Sequence, residues 1–408
     1  MHDVFVARQP IFDQKGNVFA YELLYRRTGS HTAADGLSSD TMASEVLVNT
    51  FLNMGVDRVT GSAQAFLNFT REMLLSEVHK LLDPNTVVVE LLETVTPDEE
   101  VIEASHRLVD AGFTLALDDF EWDDAYIPLL SMARIGKLDV LNKNAHELHE
   151  RITRVAPYDV EVLAERVETV EVRDQCRASG YTLFQGYFFS RPETLTTRDL
   201  SAAQLTILRL MNLLRDPNAT DSQIDDAFRG DLSLMYKLLR TVNSASMGGR
   251  GIESIKHAVR LTGRAELHKW LSLLLVTSVA AKCGSDAEVV RMALQRARMC
   301  EVVALQARDR RAAEGLFMVG LFSLLDVVLK MPLSEVLRRI ELSDEIRRAL
   351  LTRSGPYAPT IQVVEAYERA SWDVVRAESD TLGIDPSTLG AVYVEAVQWT
   401  RDRLEQVA

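Results

Sequence analysis

With 408 residues, 47% of them apolar and 25% charged, the chain has the make-up of an ordinary soluble globular protein and the length for two or three domains, each with its own core. A formal net charge of -14 argues against a broad surface for nucleic acid or an anionic membrane and leaves room only for a local basic pocket around one phosphate ligand. Cys176, Cys283 and Cys300 have neither paired spacing nor zinc-type histidine neighbours, which fits reduced thiols and makes oxygen the donor of any bound metal.

The N-terminus, Met1-His2-Asp3-Val4-Phe5, shows no basic region leading into an apolar core, so no signal peptide and a cytoplasmic location are expected. From 4 to about 192, short apolar runs alternate with amphipathic stretches, as strands and helices do in α/β folds. The runs cover 18–24, 65–68, 87–91, 114–119, 133–138, 160–165 and 182–185. Helical segments are expected between them, among them 40–53 and 98–111. Eight strands fit, and the spacing of one strand plus one returning helix predicts a parallel, TIM-barrel-like domain.

Most runs carry a polar residue at or near the carboxyl end: Asn68, Glu90, Asp118 with Asp119, Lys137, Glu165 and Gln185. Glu22 joins them from inside its own run. In a barrel these ends converge on one mouth. The pair Asp118-Asp119 is the strongest pointer, because adjacent strand residues face opposite ways and share a site only where the strand ends and the backbone turns. A lone strand-end acid is as readily a helix cap, and a lone lysine is usually solvated. The ordered set outweighs these ordinary readings. Several carboxylates, one amide and one amine are hard ligands for Mg²⁺ or Mn²⁺. Two such ions about 3.5 to 4 Å apart clamp a phosphodiester and activate water, with Lys137 placed to orient or deprotonate it.

The same residues resemble the EAL family of cyclic di-GMP phosphodiesterases over 1–192. Gln9-Pro10-Ile11 matches its opening element, and Glu22-Leu23-Leu24-Tyr25-Arg26 its Glu-Ala-Leu-x-Arg signature. Asn68, Glu90 with Glu93, Asp118-Asp119-Phe120, Lys137-Leu138-Asp139, Ala164-Glu165-Arg166-Val167-Glu168 and Gln185-Gly186-Tyr187-Phe188 follow in the family's order. The resemblance implies that Glu22, Asn68, Glu90, Asp118 and Asp119 hold Mg²⁺ or Mn²⁺, that Lys137 and Glu165 are catalytic, and that Gln9, Arg26 and Gln185 face the dinucleotide. Two departures stand out. Glu121-Trp122-Asp123-Asp124-Ala125 replaces a glycine-containing loop, and Arg166 replaces a glycine beside Glu165. Arg166 is expected to compete with a second metal or to bind a phosphate.

Beyond Ser190-Arg191-Pro192 strand-type alternation stops, and 193–408 reads as an all-helical domain. Leu205, Leu208, Met211 and Leu214, then Leu234, Met235, Leu238, Leu239 and Val242, recur at helical spacing. The apolar segment 270–281 is too short for a membrane span and reads as a buried helix; further helices are expected at 315–329 and 361–382, with a break at Gly355, Pro356 and Pro359. Asp231 to Ser244, extended by Ile255, Ala258, Val259, Leu261 and Gly263, resembles the HDOD family. That family is related to metal-dependent phosphohydrolases, yet the His-Asp doublet is absent here, so His257 and His268 are expected to be structural and this half an output or protein-interaction module.

Together the halves resemble a bacterial signalling architecture, and three functions stay open. One is a cyclic di-GMP receptor coupled through HDOD to a protein partner; the second is a phosphodiesterase producing pGpG; the third is a nucleotide-independent scaffold. No nucleic-acid or membrane partner is expected, and the resemblance is compatible with a homodimer through the barrel.

Overall fold

The structure, a computed structural model, describes residues 4–27, 56–119, 124–190, 200–229, 231–242, 255–278 and 284–407. The helix expected over 40–53, residues 120–123 of the altered loop, Asn243 and Cys283 lie outside the described residues, as does the Arg26 side chain. The chain groups into two compact units. One comprises Met1–Arg191, Cys283–Glu288 and Val363–Ala408, and the other Pro192–Lys282 and Val289–Gln362.

In the first unit eight strands close into a barrel: β1 (Val4–Asp13), β2 (Val18–Arg27), β3 (Gln64–Phe69), β4 (Val87–Leu91), β5 (Thr114–Leu117), β6 (Ile135–Asp139), β7 (Glu161–Glu165) and β8 (Leu183–Gln185). From β2 to β8 neighbours are parallel, as expected, but β1 is antiparallel to both β2 and β8. The cause is local. Asp13 Oδ1 accepts the backbone N–H groups of Lys15 and Asn17, each at 2.8 Å, and Gly16 takes a φ of +80°. So tight a turn can join only antiparallel strands.

One apolar residue per strand fills the barrel: Ile11, Ala20, Phe66, Val88, Ala116, Ile135, Leu163 and Leu183, all buried. Alternation along a strand then fixes what lies above this layer. Two residues further toward the carboxyl ends of β2 to β8 stand Glu22, Asn68, Glu90, Asp118, Lys137, Glu165 and Gln185; on reversed β1 the equivalent step runs backward, to Gln9. The apolar layer is therefore the floor on which the polar layer rests. Gly186, immediately after β8, has a φ of +144°, and a Cβ there would lie 2.2 Å from the Val167 carbonyl oxygen. Only glycine lets the end of β8 close on that backbone, where Val167 N–H donates to the Gln185 carbonyl at 2.9 Å.

Helices between the strands carry their own start signals. Asp98 and Thr169 cap Glu99–Asp110 and Val170–Ser179, and Asn144 forms a reciprocal capping box with Glu147 on Ala145–Val155. The described residues of the second unit form helices and no strand. In Ala202–Arg215, Leu208, Met211 and Leu214 are buried as the spacing predicts, whereas Leu205 is exposed. Residues 270–277 of the 270–281 run lie in Arg264–Thr277, whose Leu271, Leu274, Leu275 and Val276 are buried, and 279–281 lie outside the described residues. The 361–382 segment is divided between Ala358–Glu368 and Trp372–Leu382, with Ala370 at a φ of +52° between them. Among the described residues no helix is long and apolar enough to cross a membrane.

Candidate functional site

The polar layer converges on Lys137, whose side chain is 1% exposed. Its ammonium lies 3.2 Å from Glu22 Oε2, 2.8 Å from Glu165 Oε1 and 3.5 Å from Asp118 Oδ1, and it also pairs with Glu90 Oε1. Glu22 is held from two further sides: Asn68 Nδ2 donates to its Oε1 at 3.1 Å and Gln185 Nε2 to its Oε2 at 2.5 Å. Gln185 Nε2 also donates to Gln9 Oε1 at 3.2 Å. Eight of the ten residues singled out from sequence thus share one cluster. Arg26 has no described side chain, and Asp119 stands aside.

Asp119 follows the end of β5 with a φ of +24°, so the backbone does turn where the acid pair required it. Its Oδ1 accepts the backbone N–H of Asp139 at 3.3 Å and does not join the shell of Lys137. Asp139 lies two residues beyond Lys137 on β6 and also pairs with Arg166, which has a left-handed φ of +55°. The Arg166 guanidinium therefore turns to Asp139 rather than to Glu165. Asp139 is the residue that reading by strand ends passed over; its signal was its place on the inward face of β6.

Burial and charge set the titration of the cluster. Lys137 loses hydration, which favours the neutral amine, but the carboxylates of Glu22, Glu90, Glu165 and Asp118 more than compensate and hold it as ammonium, its pKa well above the usual value. Burial likewise disfavours ionised Glu22; Lys137, Gln185 and Asn68 overcome it and leave that carboxyl below its ordinary range. For Glu90, burial dominates over Lys137 and pushes the carboxyl well up. Asp118 is raised by burial despite Lys137, and Glu165 for the same reason reaches about 7.

These residues fit a divalent cation. One oxygen each from Glu22, Glu90 and Glu165 lies within 4.8 Å of the other two. Buried Glu90 Oε2 and Gln185 Oε1 have no hydrogen-bond partner, a costly arrangement unless something else coordinates them. Four carboxylates surround a single ammonium, so the layer is short of positive charge. An all-oxygen donor set suits Mg²⁺, Mn²⁺ or Ca²⁺ better than zinc.

In the second unit, His257 is exposed and His268 is buried, its pKa pushed down to about 4 by burial and then by Arg215. Among the described residues no second group of acids, histidines and cysteines is arranged to hold a metal.

Comparison with known proteins agrees with this division. A family model described as the EAL domain matches residues 2–192, and one described as the HDOD domain matches 200–346. The chain is 32% identical over 411 residues to the uncharacterized protein YuxH of Bacillus subtilis, covering 98% of this chain and 99% of that protein. It is 30% identical over 407 residues to a Vibrio cholerae protein named cyclic di-GMP phosphodiesterase CdgJ, covering 98% and 93%. Klebsiella pneumoniae BlrP1, solved as a calcium/cyclic di-GMP complex at pH 8.0, is 24% identical with a TM-score of 0.39 over 46% of this chain, which spans 55% of that structure's length. With both domain models matched in order and full-length relatives at this identity, the chain belongs to the family of proteins in which an EAL domain is followed by an HDOD domain.

Proposed function

We propose that the protein is a cyclic di-GMP signalling protein whose barrel binds the dinucleotide through divalent cations, Mg²⁺ or Mn²⁺ in the cell, and whose HDOD half contacts a protein partner. The observation that carries this reading is the charge-deficient carboxylate layer, with Glu22, Glu90 and Glu165 close enough to share a cation. The bound cation supplies a Lewis acid for the phosphodiester. Asn68 and Gln185 fix Glu22, Asp118 extends the acidic wall, Asp119 borders it from the end of β5, and Gln9 faces the ligand from β1, with Arg26 assigned to the dinucleotide by its motif alone. Support for the partner role of the helical half comes from Tyr236, 66% exposed on Leu232–Val242.

A second reading, hydrolysis to pGpG, is favoured by the donor set, in which Glu22, Glu90 and Glu165 are close enough to share a divalent cation beside a buried lysine. Lys137, held as ammonium by these carboxylates, donates hydrogen bonds and is a poor base, so it would orient the attacking water. Glu165, 2.8 Å from Lys137, would complete the catalytic pair. Calorimetric titration of cyclic di-GMP with Ca²⁺ tests the first reading, and chromatography of pGpG with Mg²⁺ or Mn²⁺ tests the second. Saturable cation-dependent binding, abolished by Glu22→Ala, is expected; absence of binding with every cation rejects the proposal and leaves a scaffold. The homodimer belongs to the same proposal and is read by light scattering with and without nucleotide.

A further inference from the structure

Alternation gives β1 and β2 two faces. On the inner face Gln9 and Glu22 are register partners within the polar layer. On the outer face the residues just before them, Arg8 and Tyr21, belong to a second buried polar cluster. The Arg8 guanidinium lies 4.1 Å from the Tyr21 ring centroid, donates to the Val59 carbonyl and faces Glu288 Oε1 at 4.0 Å. Tyr21 Oη donates to Glu288 Oε2 at 2.9 Å. Tyr393, buried on Leu389–Val407, approaches the same guanidinium. Arg8 and Glu288 side chains are 7% and 2% exposed, so the cluster is shielded from water.

Two of its members come from far along the chain. Glu288 lies in Cys283–Glu288 and Tyr393 in Val363–Ala408, the downstream segments that group with the barrel. After β8 the described chain makes only the short turn Tyr187–Ser190, and Tyr187 Oη donates to the Glu368 carbonyl at 3.3 Å. The helix Leu389–Val407 packs on β1, where a closing barrel helix is needed.

We infer that Glu288 is a positioning residue for the barrel site, clamping the outer face of β1 and β2 through Arg8 and Tyr21 and so setting where Gln9 and Glu22 stand on the inner face. The inference deepens the proposed function and rests on it only for the choice of ligand. A cation ligand must be held to about half an ångström to be effective, and a buried ion pair braced by a phenol is stiff enough to do so. Glu288 sits near the start of Gly284–Gln306, and the residues after it group with the helical unit.

The test uses the full chain with Glu288→Ala, Glu288→Gln and, as a control, Arg71→Ala, which removes exposed ion pairs to Asp98 and Glu100 elsewhere on the barrel. Two quantities are read: cyclic di-GMP affinity in Ca²⁺, and hydrogen exchange of β1 and β2 amides without ligand. Glu288→Ala is expected to weaken binding about tenfold and to speed exchange in β1 and β2 relative to β5 and β6. Glu288→Gln, which keeps an oxygen for Tyr21, should recover most of both, while Arg71→Ala moves neither. Unchanged affinity and exchange in Glu288→Ala, or exchange accelerated evenly around the barrel, overturns the inference. Should that variant not fold, Tyr21→Phe, which takes the hydroxyl from Glu288, is expected to speed exchange in β1 and β2 relative to β5 and β6, and exchange that is unchanged or evenly accelerated around the barrel overturns the inference. If the wild type binds no nucleotide, the proposed function fails while β1–β2 exchange still decides the positioning role.

Discussion

Two buried cations meet β2 from opposite sides, Arg8 of β1 over Tyr21 on the outside and Lys137 of β6 beside Glu22 on the inside, and their surroundings teach how to tell a ligand site from a structural one. Arg8 has one carboxylate, two phenols and a backbone carbonyl around it, so its charge is matched once and it donates to the Val59 carbonyl. Lys137 has four carboxylates and neighbouring oxygens without donors. Burial is nearly complete in both places. What differs is the balance: the outer cluster sets one carboxylate beside one cation, whereas the inner one sets four carboxyl groups around one ammonium, and protons or further cations must make up the difference.

The largest expected effect separates them directly. Removing either cation leaves buried carboxylate uncompensated, and Arg8→Met and Lys137→Met should each lose about 3–5 kcal/mol in denaturant unfolding without added metal. Ca²⁺ should then restore Lys137→Met, because the ion replaces the lost charge among Glu22, Glu90 and Glu165, and leave Arg8→Met where it was. Equal rescue of both variants, or of neither, would erase the distinction drawn between the clusters.

The inner cluster was legible in the sequence because its geometry is periodic. Each strand places an apolar residue in the floor and a polar residue two positions on, so Glu22, Glu90, Lys137 and Glu165 read as one layer from their places along the strands. Asp119 escaped that logic, since its φ of +24° lies off the strand and directs it toward the Asp139 backbone. The reversal of β1 was written in the turn from Asp13 to Asn17, but a barrel template of parallel strands concealed it. The outer cluster was not legible at all. Arg8 and Tyr21 look like ordinary strand residues, and the carboxylate that Tyr21 meets lies 267 positions away. Helical spacing found the buried faces of the second unit but misplaced Leu205, as periodicity marks one stripe and not its width.

A smaller effect follows from protonation of the inner layer. Burial, only partly offset by Lys137, raises Glu165 from its ordinary 4.5 to about 7, so the cation-free fold holds that proton more tightly than the unfolded chain does. This contribution to stability is complete below 4.5 and is lost as pH rises through about 7. Glu22, shifted the other way, contributes above its unfolded value and loses that contribution as pH falls. A cation bound at Glu165 displaces the proton, and its affinity should therefore climb about tenfold between roughly pH 6 and 8. Calorimetry in buffers of different ionisation enthalpy reads the proton released. A flat profile with no release would mean that Glu165 is already ionised and that the inner layer is better balanced than its geometry indicates.

The smallest expected effect tests how closed the outer cluster is. Tyr21→Phe deletes the hydroxyl that donates to Glu288 and keeps the ring on which Arg8 lies. One hydrogen bond to a buried carboxylate is worth about 1.5 kcal/mol, while the cation–π contact survives the change. The urea midpoint should fall accordingly, and Ca²⁺ affinity should weaken by no more than about threefold, because Arg8 still faces Glu288 on the outer face of β1. Were Tyr21→Phe to remove as much cation affinity as Glu22→Ala, the outer cluster could not be a bracket behind the site. The phenol would then have to be counted among the groups that set the charge of the inner layer, and strand alternation would no longer separate the two.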